Sequence, residues 1–104
     1  MATAQTSPPP AAAVSPVVRA RAIELVDSKG QRRALFSVED NGEAVFRMMD
    51  ARGTIRVKLG ASESGSGLVL LNDATEPGLH ALAKSQGTSL TLINKDGKKR
   101  VLAP

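Results

Sequence analysis

From Ala22 to the C-terminus, short apolar runs alternate with turn residues at a regular spacing. Four stretches fall into register: "AIELVDSKGQRRALFSV" from Ala22, "VFRMMDARGTIRVKLGA" from Val45, "GLVLLNDATEPGLHALAKS" from Gly67 and "SLTLINKDGKKRVLA" from Ser89. Anchored on Val26, Met49, Leu71 and Ile93, they recur at steps of 23, 22 and 22 residues, the mark of a repeated supersecondary unit. Each copy holds two apolar-rich segments separated by turn chemistry. "DSKG", "DARG" and "NKDG" open with Asp or Asn and place Gly where a tight turn needs positive φ. Asn41–Gly42 reads as a two-residue hairpin turn, and the third copy, "NDATEPGLHAL", reads as carrying two extra residues in its first turn. No window sustains a helical period, so the pattern predicts an all-β chain of about eight short strands, two per repeat, in an antiparallel meander. Such a meander would form a small barrel or sandwich, or be completed by self-association. A β-solenoid with one repeat per coil is the alternative. Antiparallel pairing of Leu25 with Ala34–Phe36 marks the hairpin, and parallel pairing of Leu25 with Met48 marks the solenoid.

Strand alternation assigns the faces. In the first strands, one face collects Ile23, Phe46, Leu68 and Leu90, then Leu25, Met48, Leu70 and Leu92. In the second strands it collects Ala34, Val57, Ala81 and Val101, then Phe36, Leu59, Ala83 and Ala103. This face is the expected core. Behind it, the second strands carry a basic row of Arg33, Arg56, His80 and Arg100. Behind the first strands, Val26, Met49, Leu71 and Ile93 are apolar where a wet face should be polar. That spare row is the candidate self-association surface, and a homo-oligomer is the expected partner arrangement.

Composition trims the folded part. "MATAQTSPPPAAAVSP" is uncharged and holds four of the six prolines, so residues 1–16 read as a disordered arm and residues 17–104 as one repeat domain. A domain that small is marginal by itself, which again favours self-association. With no cysteine, neither disulfides nor thiolate metal sites exist, and the redox compartment is unreadable. No apolar run is long enough to span a membrane, and a signal peptide's basic and apolar regions are missing. As written the chain reads as cytoplasmic. A processed, exported or cell-envelope chain given a new start methionine would read identically, so the compartment stays open.

The copies are similar to bacterial proteins built from tandem units of the form apolar strand, "LxDxxGxxRA", second strand, "DG". "LVDSKGQRRALFSVEDNG", from Leu25 to Gly42, fits throughout, and "MMDARGTIRVKLGASESG" fits its first half. The resemblance covers residues 22 to 103. It implies a hairpin-repeat fold, a structural or adhesive role, no established activity and frequent export.

The chemistry of the side chains excludes more than it offers. His80 is the single histidine, and one imidazole is not a metal ligand set. Serines lie in turns, and Asp27, Asp50, Asp73 and Asp96 sit where Asp caps its own backbone. No Gly-rich phosphate loop joins a strand to a helix. The chain therefore reads as a non-enzyme without cofactor or metal. The net charge of +4 is concentrated in "NKDGKKR", and the charges elsewhere are interspersed. Arg33, Arg56, Lys58 and Arg100 make a candidate anion-binding row, but without Trp or Tyr to stack on bases it supports only weak polyanion binding, and nucleic acid is not the expected partner. The expected function is a structural or protein-interaction module, with weak polyanion binding as the alternative.

Overall fold

A computed structural model of the protein describes residues 14–104. Most of the expected arm, residues 1–13, lies outside the described residues. Val14 to Arg21 run without strand structure into eight strands: β1 (Ala22–Val26), β2 (Arg32–Val38), β3 (Ala44–Met49), β4 (Ile55–Ser62), β5 (Gly65–Leu71), β6 (Pro77–Lys84), β7 (Gly87–Ile93) and β8 (Lys99–Leu102). They form one sheet in the order β1-β2-β3-β4-β5-β6-β7-β8, every neighbouring pair antiparallel, and the sheet is not closed. Leu25 pairs with Ala34, which is the hairpin's signature and rules out the solenoid.

Five of the seven turns share one build, and the sequence explains it. In 27–31, 39–43, 50–54, 72–76 and 94–98 the first residue's N–H donates to the fifth residue's carbonyl, and the fourth residue's N–H donates to the first residue's carbonyl. At Asp27, Asp50 and Asn72 the side-chain Oδ1 also accepts from the N–H groups two and four residues on, at 2.9–3.1 Å. These bonds satisfy turn amides that would otherwise need water. The fourth position has positive φ, supplied by Gly30, Gly42, Gly53 and Gly97. In the third repeat Thr75 occupies it with φ 62°, the only such non-glycine among the described residues.

That substitution hides the repeat. With Thr75 aligned to Gly30, the third turn has five residues like the others, and the two extra residues vanish. Asn41–Gly42 likewise forms the third and fourth positions of a five-residue turn, not a two-residue hairpin.

Register places one cross-strand row through Ile23, Phe36, Phe46, Leu59, Leu68, Ala81, Leu90 and Leu102. A second runs through Leu25, Ala34, Met48, Val57, Leu70, Leu79, Leu92 and Arg100. The apolar face is therefore as expected up to β7. The register shifts in the first three hairpins, so that Arg33, Arg56 and Gly78 are extra residues in β2, β4 and β6. Such a bulge keeps two successive side chains on one side. The fourth hairpin has no shift, and β8 is out of phase with the other second strands. Leu102 and Arg100 consequently replace Val101 and Ala103 on the apolar face, and Val101 turns to the other side.

A single sheet has little interior. Ala34, Val45 and Met49 are the only buried apolar side chains among the described residues, joined by Ser37. The radius of gyration, 17.8 Å, exceeds the roughly 13 Å of a compact domain of about 100 residues.

Candidate interaction surface

The face expected to be the core is uncovered. Ile23, Leu25, Phe36, Val38, Met48, Leu59, Leu70, Leu92 and Leu102 all project from it, and each is 40–60% exposed. From β1 to β7 no charged strand residue shares that side, and Arg100 is the one charge that the eight strands place there. Phe36 and Phe46 face each other across β2 and β3 and stack, with ring centroids 5.6 Å apart and planes at 22°. A fully buried large apolar side chain gains roughly 1.5–3 kcal/mol, so nine half-exposed ones forgo on the order of 10 kcal/mol. That sum rivals the whole stability of a typical domain, about 5–15 kcal/mol. The patch also spans every strand, whereas scattered exposed apolar residues are ordinary.

The opposite face is mixed, and its side chains largely satisfy one another. Arg33 Nε donates to Met49 O at 2.8 Å, and Arg56 Nε donates to Leu71 O at 2.9 Å. Each bulge arginine thus latches the end of the next repeat's first strand. Arg33 also lies 3.8 Å from Asp27 and Arg56 lies 3.4 Å from Asp50, carboxylates of their own turns. The third repeat has Gly78 at this position, with Ile93 O 3.9 Å from where its Cβ would stand. Nearer the other end, Ser37 Oγ donates to Glu39 Oε2 at 2.9 Å and Arg47 Nη2 donates to Glu39 Oε1 at 3.1 Å.

These contacts move two acids. The Ser37 hydroxyl, then the Arg47 guanidinium, hold the Glu39 carboxyl below its ordinary 4.5. Partial burial pushes Asp50 up, but the amides of Arg52 and Thr54 and the Arg56 guanidinium together outweigh it and leave its carboxyl below the ordinary 3.8.

The spare row is less spare than its polarity suggests. Val26 is exposed, but Met49 is buried and Leu71 and Ile93 are half-buried, with the Arg33 and Arg56 latches at the ends of β3 and β5. The candidate anion row is not brought together. Arg33 and Arg56 already hold carbonyls and carboxylates, Lys58 lies one row further along the mixed face, and Arg100 is on the apolar face. His80 pairs across the strands with Val69 and Thr91, in the row of Lys58 rather than that of Arg33. The paired Gly60 and Gly67 leave a shallow trough beside Lys58, His80 and Lys84, without an aromatic side chain to stack on a base. No cluster of His, Cys, Asp or Glu among the described residues suits a metal ion. No helix among them is long and apolar enough to cross a membrane.

Sequence reading missed the two latches and the Ser37–Glu39–Arg47 network. The latches carry a signal, an Arg six residues after the turn Asp in both of the first repeats. The network joins neighbouring strands through an acid in the turn, a spacing with no repeat behind it. Comparison with known protein families and with functionally characterised proteins finds no match.

Proposed function

We propose that the protein is a non-enzymatic structural or protein-interaction module that works by self-association. One observation carries this reading: a charge-free apolar face spanning seven strands stands in water on a chain with almost no interior. The resemblance of its LxDxxGxxRA units to bacterial tandem hairpin-repeat proteins supports the same role. Weak polyanion binding has less support, because the arginines it needs are engaged or face the other way. Sedimentation velocity tests self-association directly. The expected mass is a multiple of 10.8 kDa at micromolar concentration, and a monomer at every concentration retires the reading. An oligonucleotide titration at low salt tests the alternative, because phosphate contacts weaken steeply as salt rises.

A further inference from the structure

Resting on that reading, we infer that the occupant of the apolar face is the same face of a second copy, giving a closed two-fold sandwich. Eight strands at about 4.8 Å and some five residues at about 3.4 Å present on the order of 600 Å² per copy. Two such faces together cover on the order of 1,200 Å², the lower end of the roughly 1,200–2,000 Å² that specific, stable interfaces bury, so a dimer needs the whole face. Residues 1–13, with Met1 as their one large apolar residue outside proline, offer too little apolar surface to cover it.

The sheet edges oppose the other mode of assembly, β8 of one copy continuing into β1 of the next. β8 has only four residues, contains Lys99 and Arg100, follows Lys98 and precedes Pro104. β1 follows Arg19 and Arg21, and its Glu24 is held by Arg32 at 3.2 Å. Both edges are thus cationic, as edges guarded against pairing commonly are. An edge contact would also be head-to-tail and open-ended, whereas a shared face closes on itself.

The face mixes large and small side chains in both halves. Its β1–β4 half carries Phe36, Phe46 and Met48 beside Ala34, and its β5–β8 half carries Ala81 and Ala83 beside Leu68 and Leu92. A two-fold axis along the strands, between β4 and β5, keeps each row level and lays β3 over β6 of the second copy. Phe46 then meets Ala81 and Ala34 meets Leu92, large against small as interdigitating sheets favour, while Leu59 meets Leu68 at the centre and Arg100 comes over Leu25 at the wet edge. Phe46 and Ala81 lie three strands apart within one chain, so any coupling between them passes through the second copy.

Sedimentation with circular dichroism tests the sandwich. Wild type should have twice the 10.8 kDa mass, and Leu59→Lys should give a folded monomer with the dimer weakened by ~100-fold or more. Met48→Lys should do the same. Phe46→Ala and Ala81→Phe should each weaken the dimer, and the double variant should recover most of the loss. A dimer untouched by both lysines overturns the sandwich but keeps self-association, as does mass that keeps growing with concentration. Unfolding of both lysine variants places the face inside each monomer and overturns the sandwich. Wild type that is monomeric, whether free or bound to phosphatidylcholine vesicles, removes self-association itself.

Discussion

The two halves of the sheet are built from the same repeat but are held together differently. Among the described residues, every buried side chain, Ala34, Ser37, Val45 and Met49, lies in β1–β4, as do both latch arginines and four of the five ion pairs, although the Arg56 latch reaches across to Leu71 on β5. The β5–β8 half keeps the meander and the five-residue turns while losing the reinforcements one by one. Thr75 takes a glycine's place, Gly78 a latch arginine's, and β8 lacks the bulge that would set its phase. Hairpin topology thus needs only turn chemistry and alternation, while local stability depends on side chains that reach from one repeat to the next.

The sharpest break of this comparison charges one repeat position in each half. Val45 and Ser89 are equivalent, but Val45 is fully buried and Ser89 only half-buried. At one fixed protein concentration, Val45→Asp should cost several kcal/mol and unfold much of the chain, because an unpaired buried charge costs about 3–5 kcal/mol. Ser89→Asp should cost under ~1 kcal/mol. Urea denaturation of the pair reads the difference, and equal losses would mean that the halves are equally packed.

Next come the turns. Gly53 has φ 86°, so Gly53→Ala should destabilise by about 1–2 kcal/mol. Thr75 is a β-branched residue at φ 62°, so Thr75→Gly should stabilise, by up to ~1 kcal/mol after the glycine's unfolded-state entropy. Thermal melts check both, and a destabilised Thr75→Gly would show that Thr75 makes an offsetting contact.

A smaller effect sits on the latches. Arg33→Ala and Arg56→Ala should each cost about 1 kcal/mol, the worth of a side-chain hydrogen bond. Gly78→Arg should return a similar amount, since Gly78 has ordinary φ and a new Cβ meets only van der Waals contacts at 3.8–3.9 Å. If Gly78→Arg gains nothing by chemical denaturation while Arg33→Ala loses its share, the latch belongs to the first half alone.

Acid gives the smallest effect. Glu39 and Asp50 have lowered pKa values when folded, so their stabilisation is present above about 4.5 and 3.8 and is lost as pH falls through the lowered values. Melting temperature should therefore decline below about pH 4.5, and Glu39→Gln should flatten part of that decline. An unchanged slope would assign the acid sensitivity elsewhere.

How much was legible depended on whether a signal was local. Strand number, hairpin pairing and the apolar face through β7 follow from alternation and turn residues within a few positions of one another. The third turn was misread because Thr75 conceals a glycine position. Val101 was misplaced because the bulge that phases three hairpins has no mark in the fourth. The candidate rows fared according to reach: Val26, Met49, Leu71 and Ile93 do line up beside the turns, but Arg33 and Arg56 latch the strand ends at Met49 and Leu71.

By itself, then, the sequence determined the repeat, its strands and the identity of the two faces, because backbone geometry converts a period of two and a turn motif directly into a meander. Which face is covered was decided only by the tertiary structure. Coverage depends on whether the sheet closes, and closure is a property of all eight strands at once. As an open sheet, it exposes the side chains that alternation marks as interior and partly shelters the row that alternation marks as spare.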